Sequence, residues 1–152
     1  MAKIAILLGS KSDMPFVEAA QNYFDYFNLE YEVFVKSAHR NPHEVAGFCE
    51  AARKNGYQAI VAAAGMAAHL AGAVAAHTTL PVLGVPLPGG IMDGVDALLS
   101  TVQMPAGVPV ATFAVGKAGM RNAAVFAAQL ISLQDEDMQN KLNEFKKQGS
   151  RL

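Results

Sequence analysis

Short apolar segments alternate with helical patterns along the whole chain, and this alternation constrains the fold more than any other feature. Strand-like runs are predicted at residues 3–8, 31–35, 59–64, 82–85 and within 108–115. Helical patterns follow them at residues 14–27, 42–55, 67–77, 95–102, 118–133 and 135–147. Strands and helices at this spacing form right-handed βαβ units around a parallel sheet that is covered on both faces. We therefore expect an α/β three-layer sandwich with a five-stranded parallel sheet, flavodoxin-like or Rossmann-like, plus a C-terminal helix.

The length of 152 residues suits one compact domain and leaves little room for a second. We expect a single catalytic domain over residues 1–152, in which residues 1–134 form the α/β core. Residues 135–152 form a different kind of element, because their helix is highly charged and has only a thin apolar stripe of Met138, Leu142 and Phe145. We expect this helix at the surface, in contact with a neighbouring subunit.

The composition is more apolar than that of an average soluble domain, with 52% hydrophobic and 16% charged residues. A membrane span is not expected, because no segment offers the ~18–20 uninterrupted apolar residues that a bilayer requires. The longest candidate, residues 59–76, is mostly Ala and Gly and is interrupted by His69. Obligate interfaces resemble a domain core cut in half, so the apolar surplus favours a homo-oligomer.

Charge and cysteine content exclude several classes of partner and cofactor. The net charge of −1, without any block of like charge, argues against nucleic acid or an anionic membrane as the main partner. Cys49 is the single cysteine, which excludes an internal disulfide and a cysteine metal cluster. The first residues lack the pattern of a secretory signal peptide, so we expect a cytoplasmic protein.

Reactive side chains collect in the loops that directly follow the predicted strands. In open parallel sheets, ligands bind beyond the carboxyl ends of the strands, at the topological switch point. The loops concerned read GSKSDM at 9–14, KSAHRNP at 36–42, AGMAAHL at 64–70 and PLPGGIMDG at 86–94. We therefore place the candidate site at this edge of the sheet.

The first of these loops has the character of an anion-binding turn. Gly9 permits a tight turn, and Ser10, Ser12 and the N–H groups of the helix start can hold phosphate oxygens. Asp13 would repel a phosphate but is suited to accept hydrogen bonds from ribose hydroxyls. The spacing matches neither a P-loop nor a dinucleotide fingerprint. Taken alone, the motif is better explained as an ordinary Ser/Asp helix cap.

Two histidines in neighbouring loops are the candidates for proton transfer. Histidine is the side chain suited to proton transfer near neutral pH, which makes His39 a candidate, and the adjacent Arg40 can hold a phosphate through its planar fork. A surface His–Arg pair without a role is an equally good interpretation of these two residues alone. His69 begins an Ala-rich helix, where Gly65 and other small residues let a ligand approach the backbone. A lone histidine on such a helix is more often a hydrogen-bonded core residue.

A metal site is not expected from the pattern. His39 and His43 are four residues apart, but Asn41-Pro42 interrupts the helix that would align them, and no carboxylate cluster completes a ligand set. Neither His43 nor His77 is assigned a role.

Six motifs together carry a resemblance to a known family. They match in order and spacing over nearly the whole chain, from about residue 4 to 133. The chain thereby resembles the bacterial phosphoribosylaminoimidazole carboxylase catalytic-subunit family, whose main bacterial branch is a 5-(carboxyamino)imidazole ribonucleotide mutase. The motifs are GSKSD at 9–13, SAHR at 37–40, AGMAAHLAG at 64–72, LPVLGVP at 80–86, LLSTVQMPAGVPVAT at 98–112 and NAAVFAAQ at 122–129.

The resemblance implies an α/β fold assembled into an octamer, with a substrate site built from more than one subunit. It implies conversion of 5-carboxyamino-1-(5-phosphoribosyl)imidazole to the 4-carboxylated ribonucleotide without metal, ATP or organic cofactor. His39 matches the catalytic histidine of the family and His69 a second active-site histidine. The residues expected to bind the substrate are Ser10, Ser12, Asp13, Ser37, Arg40, Gly65, Ala67, Ala68 and Leu70.

The resemblance also leaves a choice between two branches. A second branch fixes free carbon dioxide onto aminoimidazole ribonucleotide, and it is similar to SAHK and AGRSN at the second and third loops. Arg40 and residues 67–70 side with the mutase branch. Ala71, which replaces the usual proline, and the LPGGIM loop at 87–92 differ from the mutase pattern, so direct carboxylation stays open. A non-catalytic nucleotide- or flavin-binding module is the alternative of another class, since one fold hosts many functions.

Overall fold

The computed structural model describes residues 2–152, and within them five strands alternate with seven helices. The strands are β1 (Lys3–Leu8), β2 (Glu30–Val35), β3 (Tyr57–Gly65), β4 (Val82–Leu87) and β5 (Ala111–Thr112). The helices are α1 (Met14–Glu18), α2 (Gln21–Tyr26), α3 (Pro42–Ala52), α4 (Leu70–Ala76), α5 (Val95–Val102), α6 (Lys117–Ser132) and α7 (Glu136–Lys147).

The five strands form one sheet in the order β2-β1-β3-β4-β5, and every neighbouring pair is parallel. This arrangement confirms the predicted flavodoxin-like α/β sandwich. β1 lies near the middle of the sheet, and five of its six residues are buried. Its side chains alternate between two cores, because successive residues of a strand point to opposite faces of the sheet.

The two cores define the outer layers of the sandwich. One face of the sheet packs against α1, α2, α6 and α7, and its core includes Phe24, Phe27, Met120 and Phe145. The other face packs against α3 and α4. Because α3 and α4 lie side by side on one face, the loops that lead into them after β2 and β3 approach each other.

The predicted helix over residues 14–27 is wrong in one respect, because the structure divides it into α1 and α2. The Ala19 carbonyl accepts a hydrogen bond of 2.8 Å from Arg121 Nε of α6. The N–H of Tyr23, which would bond to that carbonyl in a continuous helix, bonds to Ala20 O instead. A tertiary contact therefore replaces one backbone hydrogen bond of the helix.

Several other predicted bounds also shift. The helix predicted from residue 67 begins at Leu70, after a tight turn, and β5 is only two residues long. The helix predicted to reach residue 55 ends at Ala52, and a turn follows in which Gly56 takes the left-handed φ of 87°. Asn41 occupies the N-cap position of α3, but its side chain makes no capping hydrogen bond.

The C-terminal helix packs its thin apolar stripe against its own chain. Asp135 caps it by accepting a hydrogen bond of 2.9 Å from Met138 N, and the side chains of Met138 and Phe145 are buried. A contact of this helix with a neighbouring subunit stays a prediction. Among residues 2–152, no helix combines the length and apolar character that crossing a bilayer requires.

Candidate active site

The loops at the carboxyl ends of the first four strands converge on one cleft of about 840 Å³. This is the edge of the sheet that the sequence predicts for ligand binding. The cleft is lined by residues 9–13 after β1, residues 35, 37 and 39–41 at and after the end of β2, residues 64–67, 69 and 70 at and after the end of β3, and residues 88 and 89 after β4.

All of the predicted site residues except Ala68 line this cleft. Ala68 is only 2% exposed, because its N–H donates to Met66 O at 2.9 Å and the resulting turn directs its side chain into the protein. Eight lining residues were not among the predicted ones, namely Gly9, Lys11, Val35, Asn41, Ala64, Met66, Pro88 and Gly89. All of them except Val35 lie in the four loops in which the sequence places the candidate site.

The first loop forms the helix cap that its sequence indicates. Ser10 Oγ accepts a hydrogen bond of 3.3 Å from Ser12 N and lies 2.9 Å from Ser12 Oγ. Asp13 Oδ2 accepts one of 3.1 Å from Ser10 N, which completes a reciprocal capping box. Burial raises the pKa of the Asp13 carboxyl, and the bond from Ser10 N offsets only part of this rise. The same cap that shapes the turn also holds Ser10, Ser12 and Asp13 at the wall of the cleft.

His39 and His69 meet across the cleft although thirty residues separate them. His39 Nε2 lies 2.6 Å from His69 Nδ1, and the two rings are nearly perpendicular, with their centroids 4.7 Å apart. Both histidines are exposed at the cleft surface. The interpretation of His69 as a core histidine is therefore wrong, and His39 is paired with a second histidine at the cleft.

The second loop is held in place by the serine of SAHR. Ser37 Oγ accepts a hydrogen bond of 3.1 Å from Arg40 N, and Ser37 O accepts one of 2.8 Å from Asn41 N. The nearby Lys36 is engaged elsewhere, in an ion pair of 3.6 Å with Glu44. Arg40 and Lys11 are therefore the two cationic side chains that line the cleft, and both are exposed. They suit an anionic group such as a phosphate.

The third and fourth loops approach each other closely at Gly65. A Cβ built on Gly65 would lie 3.5 Å from Leu87 O and 3.6 Å from Pro88 O, so the end of β3 rests against the start of the loop after β4. Met66 follows with a left-handed φ of 53°, and its side chain is 67% exposed. Backbone and small side chains thus form the wall near His69.

The remaining histidines lie away from the cleft. His43 is exposed on α3, and His77 Nδ1 lies 3.5 Å from Glu50 Oε1 at the far end of α4. Within the part of the chain that the structure describes, no three His, Cys, Asp or Glu side chains come together in the way that a metal site requires.

Comparison with known proteins identifies relatives of this chain. A model of the family described as AIR carboxylase matches residues 3–151. The chain is 49% identical over 146 residues to the N5-carboxyaminoimidazole ribonucleotide mutase of Escherichia coli (strain K12), an alignment that covers 96% of this chain and 86% of that protein. It is 50% identical over 141 residues to the protein of the same name from Bacillus subtilis, with 93% and 87% covered.

Solved structures extend the likeness to the fold. The crystal structure of Treponema denticola PurE superposes with a TM-score of 0.88 at 24% sequence identity, and covers 99% of this chain and 92% of that chain. At this identity the likeness bears on the fold alone.

Proposed function

The chain belongs to the AIR carboxylase family, and we propose that it is an N5-carboxyaminoimidazole ribonucleotide mutase. The enzyme converts 5-carboxyamino-1-(5-phospho-D-ribosyl)imidazole to 5-amino-1-(5-phospho-D-ribosyl)imidazole-4-carboxylate, an intramolecular carboxyl transfer in de novo purine (IMP) biosynthesis. It is an isomerase, and the proposed reaction uses no cofactor. Relatives with this name at 46–50% identity over most of the chain support the assignment.

The single observation that carries the proposal is the bonded pair of His39 and His69 in a cleft that also contains a Ser/Asp turn and Arg40. This carboxyl migration needs a group that moves a proton between the exocyclic nitrogen and a ring carbon. An imidazole suits this task, because its ordinary pKa lies near neutral pH. The cationic side chains suit the 5-phosphate of the substrate.

The proposed reaction has two steps. In the first, the bond between the carbamate carbon and the exocyclic nitrogen breaks, and His39 delivers a proton to that nitrogen as carbon dioxide forms. In the second, carbon 4 of the aminoimidazole attacks the carbon dioxide, and His39 removes the proton that carbon 4 loses when the ring regains aromaticity. The proton that enters in the first step leaves in the second, so the reaction is balanced as an isomerisation.

The other residues position the substrate and exclude water. Arg40, Ser10 and Ser12 hold the remote phosphate, and the energy of that contact aligns the ring over His39. Asp13 accepts hydrogen bonds from the ribose, and Ser37 orients the backbone beside His39. The small residues Gly65 and Ala67, with Leu70, form the dry wall that keeps carbon dioxide from water. The buried Ala68 supports this wall from behind.

The deciding experiment compares two substrates on the same enzyme. One is the carboxyamino ribonucleotide without ATP, and the other is aminoimidazole ribonucleotide with bicarbonate at low concentration. We expect efficient formation of the 4-carboxylate, followed by ultraviolet absorbance, only from the first. Efficient use of the second would assign the enzyme to the branch that fixes free carbon dioxide. Failure with both, together with a coloured purified protein, would favour a flavin-binding module.

We propose further that the protein is a cytoplasmic homo-octamer. The octamer follows from the family resemblance, and the surface supports an obligate oligomer. Val95, Leu99 and Val102 recur at helical spacing on the outer face of α5, with exposures of 38%, 52% and 45%, next to the exposed Ile91 and Met92. Such a patch is rarely left open to water.

Light scattering tests the proposed octamer and should give eight subunits for the wild-type protein. Leu99→Glu should lower that number, whereas a monomeric wild-type protein would refute the proposal.

A further inference from the structure

The loop between β4 and α5, residues 88–94, holds a backbone conformation that its own sequence does not favour. Met92 and Asp93 both take left-handed φ angles, 51° and 52°, between Gly89 at 106° and Gly94 at 117°. Residues with a Cβ rarely adopt this conformation, and two in succession need support from their surroundings. Side-chain contacts therefore have to hold this loop.

Two carboxylates provide that support. Asp93 Oδ1 accepts a hydrogen bond of 3.0 Å from Gly89 N. Asp96 bridges the loop and the helix, because its Oδ2 accepts from Ile91 N at 3.0 Å and its Oδ1 from Ala97 N at 2.9 Å. Asp96 stands in the first turn of α5, where a negative charge is favoured.

The loop backbone lies directly against the Asp96 carboxylate. A Cβ built on Gly90 would lie 2.2 Å from Asp96 Oδ2, so no side chain fits at this position while Asp96 keeps its contact with Ile91 N. Gly90 and Asp96 therefore form a matched pair. The Asp96 carboxylate anchors the loop on α5, and only glycine at position 90 leaves room for that carboxylate.

This anchored loop forms part of the cleft wall. Pro88 and Gly89 line the cleft, and Pro88 O lies at van der Waals distance from the position of a Cβ on Gly65, the residue that begins the turn to His69. A shift of the loop would therefore change both walls on this side of the cleft. Asp96 itself is not among the lining residues, so it acts through the loop.

We infer that Asp96 is a positioning residue that keeps the wall at Pro88–Gly89 closed and so retains carbon dioxide between the two steps of the reaction. This inference rests on the proposed function. When the wall is loosened, the carbamate C–N bond still breaks and the nitrogen still gains its proton, but carbon dioxide escapes before carbon 4 attacks it. The products are then free aminoimidazole ribonucleotide and carbon dioxide in place of the 4-carboxylate.

The test measures the partition between these two products. The full-length enzyme is given the carboxyamino ribonucleotide in buffer purged of carbon dioxide, and spontaneous loss without enzyme is subtracted. Asp96→Ala should raise the ratio of free aminoimidazole ribonucleotide to 4-carboxylate about tenfold or more, the scale of losing one hydrogen bond to a charged group. Asp96→Asn, whose amide oxygen can still accept from Ile91 N, should restore much of the wild-type ratio. Asp137→Ala, in the first turn of α7, is the matched control and should leave the ratio unchanged.

Loss of the positioning role changes the ratio of the two products. A loss of folded enzyme lowers both products in proportion and leaves the ratio unchanged. An Asp96→Ala variant with the wild-type ratio would overturn the inference, although the mutase assignment would stand. If Asp96→Ala does not fold, Gly90→Ala decides in its place, because the added methyl displaces the loop and leaves Asp96 present. A wild-type enzyme without mutase activity would instead refute the proposed function.

Discussion

His39 Nε2 and His69 Nδ1 lie 2.6 Å apart, so the two imidazole rings share one hydrogen bond. This contact needs a proton on one nitrogen and a lone pair on the other, which two fully protonated rings do not offer. Each ring therefore constrains the tautomer of the other. In the proposed mechanism, His69 thereby keeps His39 in the form that exchanges a proton with the substrate.

Replacement of His39 should abolish turnover but leave substrate binding largely intact. His39→Asn keeps a polar side chain of similar size but cannot take up and release a proton near neutral pH, so kcat should fall by ~10²–10⁴-fold or more. The measurement is kcat by ultraviolet absorbance, with the substrate Kd from calorimetry. His43→Asn, on α3 outside the cleft lining, is the control and should behave as wild type. A near-normal rate for His39→Asn would refute the role given to this residue.

The two histidines should act as one unit in a double-mutant comparison. His69→Asn should lower kcat because His39 loses its tautomer partner, and the double variant should be little slower than His39→Asn alone. The measurement is kcat for the two single variants and the double variant under identical conditions. Multiplicative losses would show that His69 acts independently of His39.

Arg40 should contribute to substrate binding more than to the chemical step. Arg40→Ala removes a charge-assisted contact with the phosphate, so KM should rise about 10- to 100-fold while kcat changes much less. Arg40→Lys should recover part of the loss, because it restores the charge but lacks the planar fork. Steady-state kinetics against Lys54→Ala, an exposed cation beyond α3, provide the comparison. Equal losses in kcat and kcat/KM would place Arg40 in the chemical step instead.

Asp13 should lower the thermal stability of the protein while it contributes to substrate binding. Burial raises the pKa of its carboxyl, so the charged form is less favourable in the folded than in the unfolded chain. Asp13→Asn should therefore raise Tm at pH 7 and weaken substrate binding. The gain in Tm should fade as the pH falls through the raised pKa, because the wild-type carboxyl then becomes neutral as well. Thermal unfolding at pH 7 and at acidic pH checks the sign, and a Tm that falls at pH 7 would contradict it.

Cys49 should be unreactive in the folded protein. Its side chain is 1% exposed, and burial raises the pKa of the thiol to about 11, so very little thiolate exists at pH 8. Iodoacetamide at pH 8 should leave the native protein unmodified by mass spectrometry and should label it once in guanidinium. Rapid labelling of the native protein would show that α3 opens locally.

The sequence predicted most elements because their patterns are local. The bounds of β1 and α5 agree with the structure to the residue, since a continuous apolar run and a helical repeat are complete within each segment. The predicted helix over residues 14–27 was wrong where a distant group intervened. Its break at Ala19 depends on Arg121, a contact across 102 residues that no local pattern contains.

The candidate site was likewise predicted only in part from the sequence. By itself, the sequence determined which loops carry reactive side chains, because each loop directly follows an apolar strand and parallel strands end at one edge of the sheet. It did not determine that His39 contacts His69, or that Asp96 anchors the loop beside the cleft. The contact between the two histidines depends on the strand order β2-β1-β3-β4 and on α3 and α4 sharing one face of the sheet, so only the tertiary structure decided it. The Asp96 contacts span only one to five residues, but they depend on the left-handed backbone at Met92 and Asp93, which no periodic pattern indicates. Local patterns specify which groups are available, and the packing of distant elements decides which of them touch.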